Sequence, residues 1–302
     1  MMKKESTLYV IAGPTAVGKT SLSLEIANFL KCPIISADSR QFYKEMSIGT
    51  AKPTEKELEM ADHYFVNNKS IEDLYSAGEY EKDVLKWLNN HFQKNKNALL
   101  VGGSGMYINA VCNGLDNLPR DLNIRAGLNY KLKSSGIKKL QDQLQKLDPI
   151  HFKNIDINNP QRVIRAIEVC MITNSKYSSL LKRTKITRPF NIVKILLHLN
   201  KTDLKNRIEK RVDQMVDKGL FKEVKSLITY RKNNALNTVG YKEIFDYYDE
   251  LHNKDEAISK IKTNTKKYAK RQMTWFKKDK DYIWIENKEP TLSFKKIKDI
   301  IT

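Results

Sequence analysis

The chain of 302 residues contains little cysteine, no long apolar run and no segment typical of a secretory leader. Its three cysteines, Cys32, Cys112 and Cys170, are scattered without a CxxC pair. This excludes a disulfide framework and a cysteine-based zinc site, and it favours a reducing compartment. No stretch approaches the roughly 18 consecutive apolar residues of a membrane-spanning helix. Residues 1–13 run directly into a predicted strand, without the apolar centre of a signal peptide, so we expect a cytoplasmic protein.

Acidic residues are also scarce relative to basic ones, with 35 Asp and Glu against 54 Lys and Arg, for a formal net charge of +19. A surplus of this size favours polyanionic partners, and nucleic acid comes ahead of membranes because no amphipathic anchor is evident. A lysine-rich source proteome would produce the same balance. Composition alone does not separate these two explanations.

Apolar strands that alternate with helical segments predict the fold class. Strands at 8–13, at 33–39 and at the start of 97–111 each end in a polar or glycine-rich turn before a helix, which is typical of a doubly wound α/β sheet. From about 118 to 190 no strand is evident, and the segment is predicted to be helical. We therefore expect an α/β core built from both ends of the chain, with a helical insertion between them.

Apolar periodicity and capping residues predict the remaining elements. Asn159 is suited to the N-cap of one helix and Pro160 to its first position. Helices are predicted at 19–30, 79–95, 137–148, 158–172, 202–218, 241–252 and 255–276, and further strands at 191–199 and 282–286.

A phosphate-binding loop is predicted between the first strand and the first helix. The residues that match GxxxxGK[ST] are Gly13, Pro14, Thr15, Ala16, Val17, Gly18, Lys19 and Thr20. The glycines allow backbone amides to turn toward phosphate oxygens, and the helix N-terminus adds its positive dipole end. Lys19 supplies a positive charge, and Thr20 a hydroxyl suited to Mg²⁺. The sequence therefore predicts a loop that binds a diphosphate or a nucleotide.

The P-loop does not decide the chemistry, because ATPases, GTPases and small-molecule kinases all use one. The strand within 97–111 ends in Gly103 and Ser104, where a motor ATPase would carry an acidic residue. Asp38 follows the second strand, at the edge where α/β sheets place their active sites, and a carboxylate there could act as a general base. Its alternative roles are a helix N-cap or a structural ion pair.

At this point the sequence resembles the tRNA dimethylallyltransferase family, also called tRNA isopentenyltransferase. The resemblance covers nearly the whole chain, and its most specific segments are IGTAKP and AKRQMTW, which general phosphate chemistry does not demand. The similar segments, in the family's order, are GPTAVGKT (13–20), DSRQFY (38–43), IGTAKP (48–53), VGGSGMY (101–107), NPQRVIRAIEV (159–169), RVDQMVDKGLFKEV (211–224), VGYKEI (239–244) and AKRQMTWF (269–276).

The resemblance implies a P-loop core like that of nucleotide kinases, formed by residues 1–117 and 191–302. It also implies a helical insertion domain, residues 118–190, that binds the anticodon arm of tRNA. The implied reaction moves a dimethylallyl group from dimethylallyl diphosphate to N6 of the adenosine 3′ of the anticodon and releases pyrophosphate. We expect a monomer.

Within that reaction, Asp38 is expected to take the proton from the adenine amine. Lys19, the P-loop, Mg²⁺ and, by resemblance, Arg211 are expected to neutralise the leaving pyrophosphate. Thr15 and Ser104 are further predicted contacts through their hydroxyls. Arg211 could alternatively be one more solvated charge on its helix, and Ser104 a helix N-cap.

The target adenosine is expected to leave its stack and enter the pocket. Arg162 and Arg165 share a helix face, and they could instead pair internally, Arg165 with Glu168 and Arg162 with Asp156. We treat Trp275 and Phe276 as core residues. The resemblance implies that Gln161, Arg162, Val163, Ile164, Arg165, Gly240, Tyr241 and Lys242 bind tRNA. Asp38, Ser39, Arg40 and Gln41 are further predicted tRNA contacts, and Lys266, Lys267, Lys270 and Arg271 are predicted to add a basic surface.

Three other functions compete with this hypothesis. A small-molecule kinase using ATP explains the P-loop and Asp38, but neither IGTAKP nor the helical insertion. Prenylation of a free adenine nucleotide would not need a helical clamp. An RNA-binding protein with a vestigial P-loop would not need an intact Lys19-Thr20 pair beside Asp38.

Overall fold

The computed structural model describes residues 6–182 and 186–302. The start of the segment compared with a signal peptide, residues 1–5, and residues 183–185 of the predicted insertion lie outside this range. Two compact units are present: the chain up to Asn113 and from Thr187 onward, and Gly114–Ile186. The second boundary lies before the predicted residue 190, because Phe190 packs into the core of the first unit, with its ring 5.4 Å from that of Phe92.

A parallel sheet of six strands, in the order β3-β2-β4-β1-β5-β6, forms the centre of the first unit. The strands are β1 (Thr7–Ala12), β2 (Ile34–Ser36), β3 (His63–Tyr64), β4 (Asn97–Gly102), β5 (Asn191–His198) and β6 (Tyr282–Glu286). Ala12, at the end of β1, pairs with Gly102 and Leu196, and Ser36 pairs with Val101. The strands therefore end at one edge, and this edge carries the P-loop, Asp38 and Ser104.

Thirteen α-helices are present in the described residues. They are α1 (Lys19–Leu30), α2 (Glu55–Met60), α3 (Ala77–His91), α4 (Gly105–Asn113), α5 (Leu122–Leu147), α6 (Pro149–Asn154), α7 (Pro160–Thr173), α8 (Tyr177–Leu180), α9 (Lys201–Asp217), α10 (Leu220–Ser226), α11 (Tyr241–Tyr248), α12 (Lys254–Phe276) and α13 (Pro290–Ile301). The predicted α/β class is confirmed, and so is the helix at 19–30.

Alternating side chains of β1 divide the first unit into layers. Leu8 and Val10 point into a core that includes residues of α3 and α4, whereas Tyr9 and Ile11 point into a core that includes residues of α1 and α13. This alternation is expected of a strand with helices on both faces of its sheet. A third apolar cluster, built largely from α9 to α12, includes the fully buried Tyr241.

Some predicted helix ends differ from the structure. The helix predicted at 241–252 ends at Tyr248, because Glu250 adopts a left-handed conformation with φ of 59°. The predicted 137–148 helix is the second half of α5, and Gly136 breaks the helical geometry between the two halves. The sequence did not predict α2, β3, α10 or α13, most of which are short.

In the described part of the second unit, residues 114–182 and 186, the regular elements are the helices α5 to α8, joined by loops. Its core joins α5 to α7 through apolar side chains that include Leu140, Leu144, Val163 and Ile167. The Asn159 side chain accepts a hydrogen bond from the Arg162 amide at 3.2 Å, as predicted for the N-cap of α7. Among all described residues, no helix is both long and apolar enough to cross a lipid bilayer.

Candidate active site

A cavity of about 330 Å³ opens at the carboxyl edge of the sheet. The P-loop, the turn that carries Asp38, α9, α12 and the loop around Gly49 form most of its wall, and the segment before α11 contributes as well. The predicted residues that line it are Thr15, Ala16, Gly18, Lys19, Thr20, Asp38, Arg40, Gln41, Arg211 and Gly240. Strands far apart in sequence thus bring the predicted catalytic residues to one place.

The P-loop adopts its conformation through a glycine and a lysine. Gly18 has φ of 95°, a left-handed value that favours glycine, and α1 begins directly after it at Lys19. The Lys19 ammonium donates hydrogen bonds to the carbonyls of Gly13, at 3.0 Å, and Pro14, at 2.8 Å. The loop is therefore closed around the charge that we predict binds a phosphate.

Two basic side chains, Lys19 and Arg211, share the cavity with Asp38. Burial, followed by the nearby charge of Arg211, lowers the pKa of Lys19 to about 7, although Asp38 opposes this effect. Burial also lowers the pKa of Arg211, again with Asp38 in opposition. Neither cation forms an ion pair with any described residue. Because burying an uncompensated charge is unfavourable, the site gains free energy when an anion enters.

Asp38 lies in a turn that other polar groups hold in place. Its Oδ1 accepts a hydrogen bond from the Arg40 amide at 3.0 Å. The Ser104 hydroxyl accepts from the Ser39 amide at 2.9 Å and donates to Ser39 Oγ at 3.1 Å. Ser104 therefore supports the turn that presents Asp38. Its predicted contact with the substrate stays a prediction.

Tyr268 of α12 is a cavity residue that the sequence did not indicate. Its pKa is raised to about 12 by burial and by the negative charge of Asp38. The phenol therefore keeps its proton and can donate a hydrogen bond within the cavity. It lies in no P-loop or carboxylate pattern, so local sequence gave no signal for it.

Gln272, one turn further along α12, joins two loops of the site. Its Oε1 accepts from the Thr15 amide, and its Nε2 donates to the Gly103 carbonyl, both at 2.9 Å. The P-loop is thereby tied to the turn before Ser104. The AKRQMTWF segment includes this glutamine. The resemblance therefore indicated the segment, but it did not predict that Gln272 joins the two loops.

Arg207 and Asn287 also support the P-loop, through the carbonyl of Val17. The Asn287 side chain donates to the Val17 carbonyl at 2.8 Å, and Arg207 donates to the same carbonyl at 3.3 Å. Arg207 also binds the carbonyls of Asn287 and Lys288, at 3.1 Å each. Because Arg207 is one helical turn before Arg211, these contacts anchor α9 where Arg211 reaches the cavity.

Three predicted tRNA contacts are wrong for the side chains concerned. Val163 and Ile164 are fully buried in the core of the second unit. Tyr241 is also fully buried, and its hydroxyl donates to Glu223 at 2.7 Å. A side chain enclosed in this way cannot touch RNA. The prediction failed because a segment that contacts a ligand also contains residues that hold the segment itself.

Arg165 and Arg162 behave differently although they are neighbours on α7. Arg165 bonds Glu168 at 2.9 Å and the carbonyls of Leu118 and Pro119 at 3.0 and 2.8 Å. The internal pairing considered for Arg165 is therefore present. Arg162 is exposed and forms no ion pair with any described residue, Asp156 included. Of the two, Arg162 is free to meet a phosphate.

The other predicted tRNA contacts divide in the same way. Gln161 and Lys242 are exposed. Gln41 donates to the carbonyls of Thr50 and Ala51, at 3.3 and 3.2 Å, so its amide supports a loop in this structure. A direct contact between Gln41 and a base stays a prediction.

On α12, Lys267, Lys270 and Arg271 are exposed, whereas Lys266 pairs with Glu209 at 3.0 Å. The core role predicted for Phe276 is confirmed by its burial. For Trp275 the prediction was wrong, since 41% of this residue is exposed.

The residues present fit a hydrated magnesium ion. Thr20 lines the cavity, and its hydroxyl has no hydrogen-bond partner among the described residues. The same residues contain no cluster of three His, Cys, Asp or Glu side chains that could hold a metal alone. Mg²⁺ usually takes one or two protein ligands and completes its shell with water and substrate phosphates. The Thr20 hydroxyl, beside the predicted diphosphate site, matches this coordination preference.

The fold and the cavity together define an α/β P-loop protein with two basic side chains and a carboxylate in one cavity. A sequence model described as IPP transferase matches residues 41–279. Over 291 residues the chain is 46% identical to tRNA dimethylallyltransferase 1 of Bacteroides fragilis, covering 95% of this chain and 97% of that protein. It is 48% identical over 277 residues to tRNA dimethylallyltransferase of Christiangramia forsetii, covering 91% and 92%.

Solved structures give the same result. The tRNA isopentenylpyrophosphate transferase of Bacillus halodurans matches with a TM-score of 0.73 and 35% identity, over 99% of this chain and 96% of that one. A eukaryotic dimethylallyltransferase acting on tRNA matches with a TM-score of 0.79 and 25% identity, over 95% and 75%. The chain belongs to the IPP transferase family.

Proposed function

We propose that the chain transfers a dimethylallyl group from dimethylallyl diphosphate to N6 of the adenosine 3′ of the anticodon in tRNA. The observation that carries this proposal is the placement of Lys19 and Arg211, neither in an ion pair with any described residue, in one cavity with Asp38. The cations suit the diphosphate, and the carboxylate suits the acceptor amine. The relatives' names support tRNA as the acceptor and dimethylallyl as the transferred group.

Asp38 is the proposed general base. The adenine amine is a weak nucleophile because its lone pair is delocalised into the ring, so its proton must leave as the new C–N bond forms. The C–O bond to the diphosphate breaks in the same reaction, and the Asp38 carboxylate takes the proton. The Arg40 amide occupies Oδ1 and fixes the orientation of this carboxylate.

Lys19 and Arg211 stabilise the leaving pyrophosphate. Negative charge develops on the bridging oxygen, and donors already aimed at that position need no reorganisation. Mg²⁺, held by Thr20 and by the substrate's own oxygens, would neutralise further charge on the diphosphate. The hydroxyl of Thr15 is a further proposed contact to the donor.

The helical unit, Gly114–Ile186, is proposed to bind the anticodon arm. Its exposed Gln161 and Arg162 begin α7, and the net charge of +19 supplies the long-range attraction for RNA. In the first unit, Lys242 and the exposed basic residues of α12 are proposed to contact RNA phosphates. A monomer acting in the cytoplasm completes the proposal.

The decisive experiment is nucleoside mass spectrometry of unmodified tRNA after incubation with the protein, Mg²⁺ and dimethylallyl diphosphate. We expect one adenosine per tRNA to gain the mass of an isopentenyl group. Replacement of the donor by labelled ATP tests the kinase alternative, and phosphoryl transfer without prenylation would contradict the proposal. Free adenosine monophosphate in place of tRNA tests the nucleotide-prenylating alternative.

A further inference from the structure

The loop at residues 47–51 is an unexplained part of the site. It contains most of IGTAKP, which phosphate chemistry does not require, and Gly49, Thr50 and Ala51 line the cavity. Three successive amides of this loop point at one carboxylate. Glu223 Oε2 accepts from Ser47 at 3.0 Å and from Ile48 at 2.7 Å, and Oε1 accepts from Gly49 at 3.0 Å.

Tyr241 provides a fourth bond to the same carboxylate, with its hydroxyl 2.7 Å from Glu223 Oε1. The ring lies against Gly49 so closely that a Cβ there would come within 2.6 Å of it. Burial, then the charge of Glu223, raises the pKa of Tyr241, so the phenol remains a donor. Gly49, Glu223 and Tyr241 thus form a single contact that unites three motifs of the family resemblance.

The far side of the loop connects to the catalytic turn. The carbonyls of Thr50 and Ala51 accept from Gln41, whose own Oε1 accepts from Ser36 Oγ at 3.1 Å. Gln41 closes the turn that Asp38 opens, since its amide donates to the Asp38 carbonyl at 3.2 Å. A continuous series of hydrogen bonds therefore runs from Glu223 through the loop and Gln41 to Asp38.

Glu223 also belongs to the segment that carries the cation. It lies on α10, which follows α9 and its Arg211 after a short turn at Gly219. One carboxylate therefore ties the segment of Arg211 to the loop that supports Asp38. We propose that Glu223 is a positioning residue, which sets where Asp38 stands relative to Arg211 without touching the substrate. This inference rests on the proposed role of Asp38 as the base.

A carboxylate is required because only it offers two acceptor oxygens to four donors. In Glu223→Gln, one acceptor becomes an NH₂ group that faces N–H or O–H donors. The loop would shift, and a displacement of about 1 Å at a catalytic group can reduce the rate by about 100-fold. Tyr241→Phe removes a single bond and keeps the ring against Gly49.

The test measures the single-turnover rate of prenyl transfer, together with the affinities for tRNA and pyrophosphate. We expect Glu223→Gln to lower the rate by about 10- to 100-fold and both affinities by less than about threefold. Tyr241→Phe should lower the rate by about two- to fivefold. Rates are expressed per molecule competent to bind tRNA, so that partial unfolding does not count as a loss of catalysis.

Glu256→Gln is the matched control, because Glu256 also accepts from a backbone amide, that of Asn253, yet caps α12 outside the cavity. It should leave the rate unchanged. A wild-type rate in Glu223→Gln, or equal losses in rate and affinity, would overturn the inference. If Glu223→Gln does not fold, Tyr241→Phe becomes the test, and a wild-type rate in Tyr241→Phe would overturn the inference. Failure of the wild type to alkylate tRNA would instead overturn the proposed function.

Discussion

Two groups of charged side chains, one in each unit, are compensated in opposite ways. In the first unit, Lys19 and Arg211 line a cavity and form no ion pair within the described part of the chain. In the second, the fully buried Glu168 binds Arg125, Arg165 and the Asp121 amide. Cations without a counter-charge destabilise the free protein, and a bound anion can offset this effect. The paired carboxylate instead holds the structure of its own unit in place. The contrast separates residues kept for a substrate from residues kept for the fold.

The strongest test of this contrast is Asp38→Ala. Removal of a general base typically slows a reaction by 10²- to 10⁴-fold, so we expect a loss of about 10³-fold in single-turnover prenyl transfer. Affinity for tRNA should change by less than about threefold. Asp38→Asn, which keeps the shape of the side chain, should be nearly as slow. A large loss of tRNA affinity would make Asp38 a binding residue instead.

The second test removes one of the unpaired cations. Arg211→Gln should lower the transfer rate by about 10²-fold, because one donor to the leaving pyrophosphate is lost. Lys210→Gln is the control, since it removes the same charge from an exposed position on the same helix. Equal effects of the two substitutions in the same assay would show that Arg211 acts only through general charge.

Removal of the paired carboxylate should affect stability rather than affinity. Glu168→Ala leaves two arginines without their partner, and we expect about 2–3 kcal/mol less free energy of unfolding in urea titrations. Pyrophosphate binding should be unchanged. The control is Asp142→Ala, which breaks an exposed pair with Lys138 in the same unit and should cost less than about 0.5 kcal/mol.

The difference in the free energy of unfolding between wild type and Glu168→Ala should also depend on pH. Burial would raise the pKa of Glu168, but hydrogen bonds from Arg125 and Arg165 outweigh it and hold the pKa below its ordinary value. A lowered pKa in the folded state contributes stability above the ordinary value of 4.5, which is lost as the pH falls. The gap between wild type and Glu168→Ala should therefore narrow below pH 4.5.

Lys19 gives a smaller, pH-dependent effect. Its pKa of about 7 lies below the ordinary 10.5, so the free protein carries it mostly neutral at pH 8. Pyrophosphate should restore the charge and draw in roughly one proton. Titration calorimetry in two buffers of different ionisation enthalpy measures this uptake. In Lys19→Arg, which stays charged, the difference between buffers should fall by about the same amount.

The lowered pKa of Lys19 also determines how its charge affects the free energy of unfolding. The unfolded chain binds this proton more tightly than the folded one, so charged Lys19 destabilises the fold. The cost is full below about pH 7 and fades as the pH rises toward 10.5. Lys19→Met should therefore stabilise the free protein most at neutral and acidic pH.

The smallest expected effect concerns Arg162. Arg162→Ala should weaken tRNA binding by less than about tenfold and reduce the slope of log affinity against log salt by about 1. Arg165→Ala should leave that slope unchanged, because its guanidinium is engaged by Glu168 and two carbonyls. The reverse result would assign the phosphate contact to the paired residue and break the contrast.

Local pattern predicted the elements that local physics determines. The helix Lys19–Leu30, the strand Tyr282–Glu286 and the capping of α7 by Asn159 each depend on a few neighbouring residues. The P-loop belongs to the same class, since its motif and flanking elements are contiguous. Asp38 could be placed in the cavity because parallel strands end at one edge.

Contacts between residues that are distant in the sequence could not be predicted from local pattern. Nothing near Glu223 indicates that its carboxylate meets the loop at 47–49, and nothing near Gln272 indicates Thr15. The resemblance found the segments but could not divide them into contacting and supporting residues. Val163, buried, and Arg162, exposed, are adjacent on α7, and only the packing of that helix tells them apart.

The bond between Thr15 and Gln272 spans 257 residues, and that between Val17 and Asn287 spans 270. At 5–20 residues per second, synthesis separates the P-loop from these supports by roughly 13 to 50 seconds. A nascent chain therefore carries the phosphate loop well before the side chains that brace it exist. The active site becomes complete only after Gln272 and Asn287 have been synthesised, so a ribosome-bound fragment that stops before them should not consume the prenyl donor.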